Sequence, residues 1–287
     1  MSADHDKLAL ARSFLFVPAT RPERYTKALA SGADAVIIDL EDAVAAQEKK
    51  GARRQLASAF EQLGGPERAR TVVRMNASGT AWFDDDLLLL TDLVGQGLRA
   101  VMLPKAESAL VLQQLAQVLG APCTLLPLIE SLAGWDCVDT LAAAPQVLRL
   151  AFGHLDFQAD VGMACCADET ELVPVRLAVA LAARRAGLAA SIDGVTVAIQ
   201  DMERLQEDVA RSRRFGFGAK MCIHPSQVAP VNAAFSPSAL ELDWAHRVLA
   251  AVEAAGGGVV SLDGRMVDGP VVRLAQRTLA QGHQGFF

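Results

Sequence analysis

The chain has 287 residues, 52% hydrophobic and 21% charged, the balance of a globular protein long enough to bury a large core. A formal charge of −6 and an aromatic content of only 5% argue against nucleic acid, which needs basic surface and stacking rings. No apolar run reaches membrane-spanning length, and residues 1–7 are polar with no apolar signal-peptide core, so no membrane partner and a cytoplasmic location are expected.

In chain order, short apolar and often β-branched runs predict strands at residues 13–17, 34–39, 71–75, 99–103, 124–129, 148–152, 190–195 and 219–223. Between them, segments with helical spacing predict helices at residues 21–31, 44–63, 84–97, 107–119, 173–187 and 200–214. Continuous rather than alternating apolar strands fit a parallel sheet covered on both faces. Eight such strands match a (β/α)8 TIM barrel, which typically takes about 250 residues. A doubly wound open sheet is the alternative, but the first strand lacks the Gly-rich turn of a nucleotide-binding fold. Beyond about residue 235 the pattern changes. Ser236-Pro237 opens a helix to about 255, Gly256–Gly258 break it, a tight hairpin is expected around Asp263-Gly264, and a last helix follows Pro270 over 270–281. The expected division is a barrel over 1–235 and a C-terminal extension over 236–287, a helix–hairpin–helix that caps the barrel mouth or an adjacent subunit.

The five cysteines, Cys123, Cys137, Cys165, Cys166 and Cys222, show no Cys-x-x-Cys spacing. They read as small buried hydrophobes in a reducing compartment.

Barrel enzymes carry their chemistry at the C-terminal ends of strands. Those ends hold Thr20-Arg21, Asp39 to Asp42, Arg74 with Asn76, Pro104-Lys105, Glu130-Ser131, Gly153 with Asp156, Asp193, and His224-Pro225. A carboxylate just past a buried strand is costly unless a metal, an arginine or a substrate pairs with it. Glu130 and Asp156 together with Arg74 therefore suggest a Mg²⁺ site that holds an anionic substrate. The structural alternatives are salt bridges from the two acids to barrel lysines, and an ion pair of Arg74 with Glu41 or Asp42.

Several stretches also carry a family pattern: residues 12–18 (RSFLFVP), 34–44 (DAVIIDLEDAV), 73–76 (VRMN), 103–105 (LPK), 128–130 (LIE), 152–156 (FGHLD), 218–227 (GAKMCIHPSQ) and 264–268 (GRMVD). In that order they cover almost the whole chain, which resembles the citrate lyase β-subunit-like branch of the HpcH/HpaI aldolase superfamily, with its malyl-CoA and citramalyl-CoA lyases. The resemblance implies a Mg²⁺-dependent carbon–carbon lyase, with CoA as part of the substrate. It would cleave a 3-hydroxyacyl-CoA thioester to acetyl-CoA and a 2-oxo acid, and work as a homotrimer.

On this reading Glu130 and Asp156 hold the metal, and Arg74 faces the oxygen on which negative charge grows. Asp268 matches the family's acid/base, an aspartate supplied by the adjacent subunit. Lys105, Gly153 and His154 are candidate substrate contacts, although small residues are more usual in the family at the position of His154. Glu41 and Asp42 would orient Arg74 or hold waters around the metal. Arg21, Arg24 and Lys27 suit CoA phosphates or a solvated helix face, and His224 reads as the start of a short helix. Alternatives within the fold are a citryl-thioester lyase of the citrate lyase β-subunit type and a CoA-free class II aldolase acting on hydroxy-oxo acids.

Overall fold

The computed structural model describes residues 3–256 and 258–282, so Gly257, the middle of the expected helix-breaking glycines, lies outside the described residues. Helix α1 (Ala3–Leu10) precedes β1 (Ser13–Pro18); α2 (Tyr25–Leu29) leads to β2 (Ala35–Asp39), and α3 (Lys49–Glu61) and α4 (Gly65–Ala69) to β3 (Thr71–Arg74). There follow α5 (Phe83–Gln96), β4 (Ala100–Leu103), α6 (Ala109–Leu119), β5 (Thr124–Ile129), α7 (Leu132–Asp136), α8 (Val138–Ala142) and β6 (Ala151–Phe152). Then come α9 (His154–Val161), α10 (Val173–Arg185), β7 (Ile192–Asp193), α11 (Met202–Arg214), β8 (Ala219–Cys222) and α12 (Val228–Phe235). The eight strands close into a barrel in sequence order, every neighbouring pair parallel, with β1 meeting β8 through Ser13↔Lys220.

Strand residues alternate between two apolar environments. Phe14, Ile37, Val72, Met102, Leu128, Ala151, Ile192 and Met221 belong to one buried cluster inside the barrel. The residues between them, such as Leu15, Ile38, Val73 and Val101, are buried as deeply under the helices. Each large side chain so buried contributes about 1.5–3 kcal/mol.

Two features depart from the sequence reading. Nothing was expected before residue 13, yet α1 forms there. Its Leu8 joins the barrel cluster, and the buried Arg149 guanidinium donates to Leu8 O at 3.2 Å and Ala11 O at 2.7 Å, capping the helix's last carbonyls. Strands β6 and β7 are two residues each instead of the expected five and six. At that seam Arg149 Nε takes the Ala190 carbonyl at 2.7 Å, and one register pair, Ala151↔Ile192, joins the two strands.

The chain divides into two compact units, one up to Asn232 and one from Ala233. In the second unit, α13 (Ala239–Ala254) starts with a capping box: Ser238 Oγ accepts the Glu241 N–H at 3.2 Å and Glu241 Oε2 accepts the Ser238 N–H at 2.7 Å. The antiparallel strands β9 (Val260–Leu262) and β10 (Arg265–Val267) turn through Asp263 and Gly264, both at positive φ (51° and 74°), as a tight hairpin requires. Helix α14 (Gly269–Gly282) packs on α13 around Ala245, Val248, Val267 and Ala275. No helix among the described residues is long and apolar enough to cross a membrane.

Candidate active site

One step beyond the inner cluster, toward the C-terminal ends of the strands, the inward-facing positions are Phe16, Asp39, Arg74, Glu130, Gly153, Gly194 and Ile223. All seven line a cavity of about 430 Å³ at the barrel mouth, with Leu128 and Met221 from the layer beneath and Asp42, His154 and Asp156 from the loops. The period of two that builds the core thus also builds the site, one layer higher.

Arg74 is almost entirely buried. Its Nε and Nη2 each donate to one oxygen of Asp39 at 2.7 Å, because the β2–β3 register sets Asp39 beside Arg74. Its Nη1 lies 2.9 Å from Glu41 Oε2 and 3.6 Å from Asp42 Oδ2, and the guanidinium sits 4.9 Å over the Phe16 ring. Burial alone would weaken the guanidinium as a base, but the Asp39 hydrogen bonds and the surrounding carboxylates outweigh it, so Arg74 stays charged. Glu41 Oε1 accepts from Lys105 Nζ at 2.7 Å, while the Lys105 N–H donates to Glu130 Oε1 at 2.8 Å. Lys105 takes a left-handed backbone, φ 45°, to present both groups at once. A continuous chain, Arg74–Glu41–Lys105–Glu130, therefore runs along one side of the mouth.

Glu130 is 2% exposed. Burial first, then the nearby Glu41, pushes its carboxyl up to about 8. Its Oε2 and Cβ lie 2.5 and 2.7 Å from where a Cβ on Gly153 would be, so only glycine lets Glu130 lie across the end of β6. Asp156 is exposed in the first turn of α9 and lines the same cavity. No group of three or more His, Cys, Asp or Glu able to hold a metal occurs among the described residues. What is present is a buried carboxylate short of positive charge, a second carboxylate beside the opening, and oxygen ligands only. That donor set suits Mg²⁺, which takes one or two carboxylates and completes its octahedron with substrate and water.

His154 reaches the cavity edge, but its ring nitrogens are engaged elsewhere. Nδ1 packs against Gly194, where an added Cβ would fall 2.0 Å away, and Nε2 lies 3.5 Å from Glu169 Oε1. Burial pushes its pKa down to about 4, which keeps it neutral. His224 lies exposed at the start of a 3-10 turn and accepts the Ser226 N–H through Nδ1 at 3.2 Å. Asp268, in the second unit, caps α14: its Oδ1 accepts the Val271 N–H at 3.3 Å and its carbonyl the Val272 N–H at 3.0 Å. Arg21 and Arg24 are exposed, each within 4.0 Å of Glu23.

Sequence reasoning missed three residues. Asp39 appeared only within the run of acids after the second strand, although its parity with Ile37 marks it as inward-facing. Lys49, in a charged segment that reads as solvated surface, is buried and ties the mouth loops together, donating from Nζ to Leu40 O and Glu41 O at 2.7 Å and to Asn76 Oδ1 at 2.6 Å. Glu169, in the connection between α9 and α10, meets Arg176 and Arg211. Its signal was Arg176, a charge on the apolar face of α10 between Val175 and Val179.

The family model for HpcH/HpaI aldolase/citrate lyase matches residues 12–225. A citrate lyase subunit beta-like protein of Mycobacterium tuberculosis is 41% identical over 277 residues, 94% of this chain and 95% of the relative. A (3S)-malyl-CoA thioesterase of Cereibacter sphaeroides is 34% identical over 273 residues, 94% of each chain. Among solved structures, CitE from M. tuberculosis in complex with magnesium, acetoacetate and coenzyme A superposes with a TM-score of 0.83 at 38% identity, over 96% of this chain and 100% of the other.

Proposed function

The chain belongs to the HpcH/HpaI aldolase/citrate lyase family, and from that premise we propose that it is a Mg²⁺-dependent carbon–carbon lyase that cleaves citramalyl-CoA to acetyl-CoA and pyruvate. The observation that carries this reading is Glu130, a buried carboxylate with a raised pKa facing a cavity that also holds Arg74 and Asp156. The magnesium and coenzyme A crystallised with the M. tuberculosis relative support it.

Glu130 and Asp156 would hold the Mg²⁺, which when bound acts as a Lewis acid on the substrate oxygens. Arg74 has five N–H groups; two go to Asp39 and one faces Glu41, which leaves donors for the substrate oxygen that gains negative charge as the C2–C3 bond breaks. The apolar side of the cavity, Phe16, Leu128, Val195, Met221 and Ile223, takes the methyl-bearing end of the 2-oxo acid and excludes water from the nascent enolate. Asp268 of an adjacent copy would move the proton at the acetyl methyl carbon, with that copy's extension over this copy's mouth and the assembly a homotrimer. Lys105 would stand near the thioester.

The test is pyruvate release from racemic citramalyl-CoA, with Mg²⁺ and with EDTA, beside glyoxylate release from malyl-CoA. Rapid, EDTA-sensitive pyruvate release is the expected result. Glyoxylate alone would move the assignment to malyl-CoA, and silence on both thioesters would overturn it. Asp268→Asn is expected to lower kcat by about 10²-fold or more, the scale of a lost general acid–base. Unchanged turnover in that variant would favour a CoA-free aldolase.

A further inference from the structure

We propose that Asp39 is the positioning residue of this site: its fork fixes the Arg74 guanidinium toward the reacting oxygen against the pull of the neighbouring carboxylates, of which Glu41 meets only Nη1. The inference rests on the role given to Arg74 above and adds to it a residue that acts only through Arg74.

Three observations carry it. The first is geometry. Asp39 and Arg74 are register partners on adjacent parallel strands, and the two 2.7 Å hydrogen bonds from Nε and Nη2 make a fork that fixes the guanidinium in the plane of the carboxylate as well as in position.

The second is that Asp39 is itself anchored. Its Oδ1 accepts the Glu41 N–H at 2.9 Å and its Oδ2 the Ala43 N–H at 3.0 Å. Each oxygen thus accepts one guanidinium bond and one backbone bond. At 1% exposure the carboxylate has no acceptor position left for a substrate. It positions Arg74 and touches nothing that reacts.

The third is competition. Glu41 Oε2 at 2.9 Å, Asp42 Oδ2 at 3.6 Å and the buried Glu130 all draw on the same guanidinium. Without the Asp39 fork a long, flexible side chain has three other acids to choose from, one of them the proposed metal ligand. Asparagine cannot substitute, because in either orientation its amide NH2 would face a guanidinium N–H and a backbone N–H, of Glu41 or of Ala43, donor against donor.

The test is a double-mutant cycle with Asp39→Asn, Arg74→Met and the pair, read as kcat and KM on citramalyl-CoA. Asp39→Asn is expected to lower kcat about 10²-fold, the scale of one lost preorganised donor. In the Arg74→Met background it should cost less than about threefold more, because residues acting as a unit are not additive. Equal losses in both backgrounds would overturn the proposal.

Asp39→Glu guards against a variant that fails to fold. It keeps the charge, shifts the fork by one methylene, and should lower kcat while the melting temperature holds; wild-type kcat in that variant would also overturn the proposal. A readout independent of turnover is the Arg74 Nε–H resonance, identified by its loss in Arg74→Met. It should be protected from exchange in the wild type and lost in Asp39→Asn, and its persistence would count against Asp39 even if no thioester were cleaved. An inactive wild type would instead count against the reaction assigned above.

Discussion

Glu130 and Asp193 are both buried carboxylates at the ends of barrel strands, 2% and 0% exposed, yet their surroundings push them in opposite directions. Burial would raise Asp193, but Arg176, Lys220, the Ser212 hydroxyl and the Gly194 N–H outweigh it and hold the carboxyl down to about 2. Glu130 has the Lys105 N–H at 2.8 Å, while the Lys105 ammonium stands off at 3.9 Å with its hydrogen bond given to Glu41, and burial lifts it to about 8. Strand parity separates the two regions. Asp193 follows the inward-facing Ile192 and turns outward, away from the cavity, whereas Glu130 follows the inward-facing Leu128 by two and opens onto it. An acid whose charge is fully balanced belongs to the scaffold. One left short of positive charge, at the wall of a cavity, would suit the cation proposed for this site.

The sharpest way to break this contrast is Glu130→Gln, which should lower turnover by at least about 10²–10³-fold while the fold survives, since it removes a charge the metal-free protein does not favour. Gly153→Ala is expected next. Its methyl would displace Glu130, and misplacement of about 1 Å costs on the order of 10²-fold in kcat with little change in melting temperature. On the other side, Asp193→Asn should destabilise the protein by up to about 3 kcal/mol, because it removes the buried charge facing Arg176 and Lys220 and leaves them only Glu169 and the Gly194 carbonyl, and should leave Mg²⁺ affinity within about threefold; urea denaturation and calorimetry separate the two effects.

The last effect is graded with pH, about tenfold in Mg²⁺ affinity per unit. Between its ordinary value near 4.5 and about 8, Glu130 holds a proton in the folded state that it has lost in the unfolded state. The folded metal-free protein then binds more protons, so its stability falls as pH rises through that window. Mg²⁺ must displace the same proton, so its apparent affinity should rise about tenfold per pH unit up to about 8 and level off above. An affinity flat from pH 6 to 8 would contradict the raised value.

Much of the barrel could be read from the sequence, because eight apolar runs separated by helical spacing leave few architectures. The exceptions are physical. The runs of 148–152 and 190–195 contain Arg149 and Asp193, whose side chains bond the Ala190 carbonyl and the Gly194 N–H and so take over part of the hydrogen bonding that a longer ladder would have used. Helix α1 was invisible because it rests on Arg149, 139 residues beyond Leu10, and not on any periodicity of its own. Glu130, Asp156 and Arg74 were legible as charges that interrupt apolar strand ends. Asp39 was not singled out, since a carboxylate among Asp39, Glu41 and Asp42 reads as one more loop acid until strand parity is followed past Ile37. Lys49 was hidden for the opposite reason: lysine beside lysine suggests solvent, and only the fold shows which of the two turns inward.

Glu130 is the unbalanced charge of the barrel mouth, and Asp193 is not. The most direct test is a calorimetric Mg²⁺ titration of the wild type, Glu130→Gln and Asp193→Asn at one pH, under conditions where melting curves show all three folded. One site is expected in the wild type, none in Glu130→Gln, and one of near-wild-type affinity in Asp193→Asn. Binding retained in Glu130→Gln, or lost in a folded Asp193→Asn, would contradict it.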